Sequence, residues 1–151
     1  MAATGLPRTR ARRAAVQALY QSLVNNEPPQ KDTLDFVTAE YADNIDKKYF
    51  AKLMEGTLRH QPEIDTELNN AIDRDLNKID PVEASVLRLA VYEFMHMPEI
   101  PYRVVLNEAV ELAKSFGGEQ GHKYVNGVLD KMGSKLRTVE YQAAKAARQK
   151  K

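Results

Sequence analysis

A chain of 151 residues with 43% hydrophobic content can bury roughly 70% of the surface its unfolded form exposes, enough for one domain with its own core. It has no cysteine, which excludes disulfides, thiolate metal sites and a cysteine nucleophile and fits a reducing compartment. The formal net charge of +1 hides an asymmetry: residues 1–13 carry +4, residues 131–151 carry +6, and residues 14–130 carry −9. Basic ends on an acidic body are expected of a chain that meets a polyanion or an acidic partner. No apolar run follows the N-terminal arginines and no stretch is long enough to span a bilayer, so a soluble, cytoplasmic protein is expected.

The chain reads as helix throughout, about seven helices and no sheet. The first follows an arginine cluster (Arg8, Arg10, Arg12, Arg13), with Val16, Leu19, Tyr20 and Leu23 on one face. It stops at Pro28-Pro29. A short helix over about 33–40 carries Leu34, Phe36 and Val37. A third bears Phe50, Leu53, Met54, Thr57 and Leu58, and a fourth, after Pro62, bears Ile64, Leu68 and Ile72. At "DPVEASVLRLAVYEFMHMP", Asp80 is an N-cap, Pro81 takes the first helical position, and Glu83 can close a capping box. Val86, Leu87, Leu89, Ala90, Val91 and Phe94 cover most of that helix's circumference, which predicts a central strut packed on several sides. Beyond Pro101, a sixth helix presents Val105, Ala109, Leu112, Ala113 and Phe116 and is expected to stop at Gly117-Gly118. The seventh presents Tyr124, Val125, Val128, Leu129 and Met132. Residues 138–151 are helix-prone but lack an apolar stripe and read as a flexible basic extension.

Enzyme signatures are missing. "GGEQGHK" fails the phosphate-loop spacing and follows no strand. Glu93 and His96 have an i, i+3 spacing without the second Glu-x-x-His that a di-iron bundle needs. His60, His96 and His122 fall in different helices without a shared spacing, so no metal site and no cofactor are expected, and no pair of carboxylates stands out as an acid/base couple.

The stretch "IPYRVVLNEAVELAKSFGGEQGHKYVNGVLDKM", residues 100–132, closely resembles the C-terminal half of the NusB family of bacterial transcription antitermination factors. "RARRAAVQALYQ" resembles that family's arginine-rich first helix, so the likeness covers about residues 8–137. It implies a single domain over 1–137, built from two small helical bundles (about 8–60 and 62–137) packed roughly perpendicular around the strut, followed by the 138–151 extension. It also implies function: pairing with the small-subunit ribosomal protein NusE, binding the single-stranded boxA element of nascent RNA in ribosomal RNA operon leaders, and, with other Nus factors, helping RNA polymerase read through terminators. Some members form homodimers.

Residue chemistry agrees with an RNA role. Unpaired bases are recognised by stacking on rings or guanidinium planes and by hydrogen bonds along their edges. Arg8, Arg10, Arg12 and Arg13 supply charge and planar forks at a helix start, where they oppose the macrodipole. Gln120, Lys123 and Tyr124 lie at the Gly-rich turn and helix start "FGGEQGHKY", where open backbone N–H groups suit phosphates. The resemblance places RNA contacts at positions 120 and 124, where the family more commonly carries a smaller or acidic residue and Phe. Tyr124 can equally be a core residue on the Val128 face. Tyr20 and Glu83 match positions where the family touches NusE; packing against Leu23 and the capping box are their purely structural explanations. Two other readings are a protein-only adaptor for a ribosomal protein, and a stand-alone relative of the helical module fused to ribosomal RNA cytosine methyltransferases, for whose catalytic domain 151 residues leave no room.

Overall fold

The computed structural model describes residues 2–117 and 119–149, with the side chains of 2–4, 117 and 119 left aside. It is all-helical: α1 (Ala2–Asn25), α2 (Lys31–Ala39), α3 (Lys47–Arg59), α4 (Gln61–Ala71), α5 (Pro81–His96), α6 (Tyr102–Gly117), α7 (Glu119–Leu136) and α8 (Thr138–Gln149), with a short 3-10 turn at Leu76–Lys78. The described residues contain no strand, and none of their helices is long and apolar enough to cross a membrane. The glycine stop expected after α6 falls at position 118, outside the described residues.

The strut is α5. It packs against α1, α3, α4, α6 and α7, because every residue from Ala84 to Phe94 is buried. Its start is fixed as the sequence suggested: Asp80 Oδ1 accepts from Val82 N at 2.9 Å and from Glu83 N at 3.3 Å. The reciprocal half of the expected capping box is replaced by packing, since the Glu83 carboxylate lies against Gly121 of α7, where an added Cβ would come within 3.1 Å of it.

α1 ends on Asn26, in the left-handed region at φ 54°, with Glu27 N bonded back to Ser22 O at 3.1 Å; this closes the last turn before the prolines. α2 buries Val37 and tucks in Leu34, whereas Phe36 points outward and is 75% exposed. Leu34 and Val37 are three residues apart and share a face, and Phe36 is about 200° from Leu34 around the helix.

Residues 138–149 depart from the expected flexible extension by forming α8. No residue of α8 is buried, so periodicity gave no sign of it. It is held at its root: Glu140 accepts from Tyr102 N at 2.7 Å, and Tyr141 meets the Tyr102 ring edge-on at 6.1 Å. Arg137, just before it, is buried and reaches the end of α5.

Candidate nucleic-acid interface

The arginines of α1 divide into two kinds. Arg12 points inward and is 3% exposed. Its Nε and Nη2 donate to the two carboxylate oxygens of Glu93, both at 2.9 Å. Nη1 donates to Glu108 Oε1 at 2.8 Å and Nη2 also to the Tyr49 hydroxyl at 3.1 Å. Tyr49 donates in turn to Glu93 Oε2 at 2.6 Å. One guanidinium thus ties α1 to α3, α5 and α6. Burial opposes its charge, but the bonds and field of Glu93, with Tyr49 and Glu108, outweigh this and leave it more firmly protonated than usual. Burial, reinforced by Glu93, pushes the Tyr49 hydroxyl well above its ordinary range. This corrects the assignment of Arg12 to the RNA surface: its side chain lies inside the protein, with four donations committed to Glu93, Glu108 and Tyr49, not at the surface with the other arginines.

Arg8, Arg10 and Arg13 stay at the surface, each partly tethered. Arg8 lies over the Tyr49 ring at 4.4 Å, with Asp46 3.7 Å away. Arg10 donates to Asn44 O at 2.9 Å. Arg13 bonds Ser115 Oγ and sits 4.5 Å over the Phe116 ring. A guanidinium held flat on a ring keeps its in-plane N–H edge available for an anion.

Arg13 alone of the three joins α1 to the end of α6, two residues before α7 starts, whereas Arg8 and Arg10 lie toward the start of α3 and the loop before it. On α7, Gln120 and Lys123 are exposed and Tyr124 is half-buried. Tyr124 packs against the core on one side and carries Arg74 over its ring at 4.7 Å. It lines an open cleft with Asp73, Lys123, Gly127 and Lys131. Burial raises its hydroxyl pKa, with Arg74 opposing, and that oxygen has no hydrogen-bond partner among the described residues. Arg74 was not foreseen: it lies in a loop fifty residues from Tyr124, and only the fold joins them.

Tyr20 is 38% exposed and borders a hollow with Val16, Gln17, Gln21, Val82 and Phe116. Glu83 follows Val82 directly. Its carboxylate lies against Gly121 of α7, within the field of Arg74, and does not line the hollow; Phe116 belongs both to this hollow and to the Arg13 stack. Leu23 and Val24 continue the exposed apolar strip along α1.

The histidines also need a correction. His60 and His96 are not unrelated: their rings stack with centroids 4.0 Å apart, and Glu63 approaches both. The α3–α4 turn folds His60 onto the last residue of α5, a proximity that no sequence spacing encodes.

Comparison with known proteins decides the family. The NusB family model matches residues 9–134, most of the chain. The chain belongs to the NusB family. It is 46% identical over 136 residues to the transcription antitermination protein NusB of Nitrosococcus oceani, covering 90% of this chain and 91% of that protein. It is likewise 46% identical over 130 residues to the NusB protein of Mannheimia succiniciproducens, covering 86% and 91%. The fold is similar to that of T. maritima NusB, with a TM-score of 0.72 and 32% identity over 85% of this chain and 92% of that one. It is also similar to a chain in a crystal structure of the antitermination factors NusB and NusE in complex with double-stranded RNA, with a TM-score of 0.73 and 28% identity over 82% and 93%. NusB proteins are RNA-binding transcription antitermination factors rather than enzymes, and this chain is one of them.

Proposed function

We propose that this protein binds the single-stranded boxA element of nascent RNA, in leaders such as those of ribosomal RNA operons, as a cytoplasmic heterodimer with the ribosomal protein NusE. Through that complex, with other Nus factors, it helps RNA polymerase pass terminators. The observation that carries this reading is the shared boundary at Phe116: Arg13 lies over its ring on one side, and on the other the ring lines an exposed hollow with Tyr20 and Val82. RNA and a protein partner can therefore be held by adjoining surfaces. The solved NusB–NusE–RNA complex supports the pairing of partners.

The RNA surface consists of Arg8, Arg10, Arg13, Gln120, Lys123 and Tyr124, with Arg74 added and Arg12 removed; Tyr20 and Glu83 serve the protein partner. If the three arginines each neutralise a phosphate, log K falls with log salt at a slope of about −2, and raising salt from 50 to 200 mM weakens binding roughly 20-fold. Arg10→Ala with Arg13→Ala flattens the slope to about −0.7 with the fold intact. An unchanged slope and affinity would return these arginines to a solubility role and favour the protein-only adaptor.

Tyr124 is expected to stack on a base. Tyr124→Ala then loses ~1–3 kcal/mol of RNA binding and Tyr124→Phe loses little, while melting temperatures move only slightly because the ring is half-buried. A large stability loss with native affinity in the folded fraction would make Tyr124 a packing residue instead.

A further inference from the structure

We propose that His60, Glu63 and His96 form a binding site for a divalent first-row transition metal ion, with zinc as the first choice. Each of the three offers one ligand atom, and these atoms lie within 4.8 Å of one another. His96 Nε2 is 3.0 Å from Glu63 Oε1, and His60 Nδ1 is 3.7 Å from Glu63 Oε2. Around a tetrahedral zinc with bonds near 2.1 Å, neighbouring ligand atoms stand roughly 3.4 Å apart; the two histidine–carboxylate spacings bracket that value, and binding turns the imidazoles out of their stack so that both nitrogens point at one ion. Two imidazoles and a carboxylate form a donor set that zinc and its neighbours favour over calcium or magnesium.

The backbone beneath the cluster is fixed. His60 closes α3 through a bond from its N to Gly56 O at 3.0 Å, and its own carbonyl accepts from Ile64 N at 2.9 Å to start α4. His96 ends α5, whose terminal carbonyls are held by Arg137. Behind the two imidazoles stands Tyr92, a buried ring 5.5 Å from His96 and 6.1 Å from His60. The fields of Glu99 and Glu55 reach the Tyr92 hydroxyl, and Lys52 offsets part of the Glu99 charge from 3.8 Å. The outer side of the cluster is open to solvent, leaving room for water to complete the coordination shell. Once bound, the ion clamps the α3–α4 turn to the end of the strut, away from the Tyr124 cleft and independently of RNA.

The test uses the full-length, untagged chain freed of metal with a chelator and then titrated with zinc by calorimetry and with cobalt(II) by visible absorption. One zinc per chain is expected, with the absorption bands of four- or five-coordinate cobalt, a melting temperature that rises with zinc, and affinity at least ~10-fold weaker in Glu63→Gln, His60→Ala and His96→Ala. Glu63→Gln keeps the shape of the side chain and guards against a folding defect in the histidine variants. Zinc binding by the double variant His60→Ala/His96→Ala that equals the unmodified chain, or no loss in Glu63→Gln, would overturn the proposal and leave the cluster a stacked pair with an ordinary ion pair.

Discussion

Arg12→Ala lowers folding stability by about 3–5 kcal/mol, because it strands the Glu93 carboxylate, and in part that of Glu108, inside the protein without a counter-charge. For a chain of this size the melting temperature falls by roughly 10 °C. The same reasoning gives Glu93→Ala a similar loss, since Arg12 is then the buried charge left with half its partners. The pair Arg12→Met/Glu93→Leu removes both charges and recovers much of the loss, as buried ion pairs exchanged for apolar groups of like volume often do. Thermal and denaturant unfolding of the three variants measures this. An Arg12→Ala chain that melts like the unmodified protein but loses RNA affinity would contradict the structural role of Arg12 and return it to the RNA surface.

Arg137→Ala is expected to lose about 3 kcal/mol. Arg137 uses all five of its N–H groups: Nε donates to Phe94 O at 2.8 Å, Nη1 to Ile100 O at 2.9 Å and Glu140 Oε1 at 2.8 Å, and Nη2 to Glu93 O at 3.1 Å and Met97 O at 3.0 Å. Three of these carbonyls belong to the last turn and cap of α5, where Glu93 O and Met97 O each also accept from a backbone N–H and where positive charge suits the dipole. Arg137→Lys keeps the charge but has at most three donors at a single point, so it restores less than half the loss. Because Glu140 is held by Arg137 and also receives Tyr102 N, the alanine variant also frees the root of α8. Hydrogen exchange in 138–149 is expected to quicken in Arg137→Ala more than in the rest of the chain.

Periodicity and caps made the strut legible: the Asp80-Pro81 start and the near-continuous apolar circumference from Val86 to Phe94 allow little else, and the apolar stripes of α3, α4, α6 and α7 face the core as their spacing implies, except that Leu58 is exposed and Ile72, Phe116 and Tyr124 are only partly buried. α8 was not legible because single residues attach it, Arg137, Glu140 and Tyr141, and these leave no repeat. The error over Arg12 had a signal that would have prevented it. The stripe of Val16 and Leu19, run back along the helix by four and seven residues, lands on Arg12, while Arg13 falls about 100° away toward solvent. Glu93, an acid on the strut's buried circumference, called for a cationic partner at the same time. The Arg74–Tyr124 contact and the His60–His96 stack had no such signal, since each joins segments whose spacing in the chain says nothing about their distance in space.

The measurement that bears most directly on the proposed function is a titration of the purified protein with a boxA RNA oligonucleotide and with a scrambled strand of equal length, each with and without NusE. Preferential binding of boxA, tightened when NusE is present and weakened by Tyr124→Ala and by Arg10→Ala/Arg13→Ala, is the expected result. Equal affinity for the two strands in both conditions, with NusE bound normally, would contradict it and make the protein an adaptor between proteins.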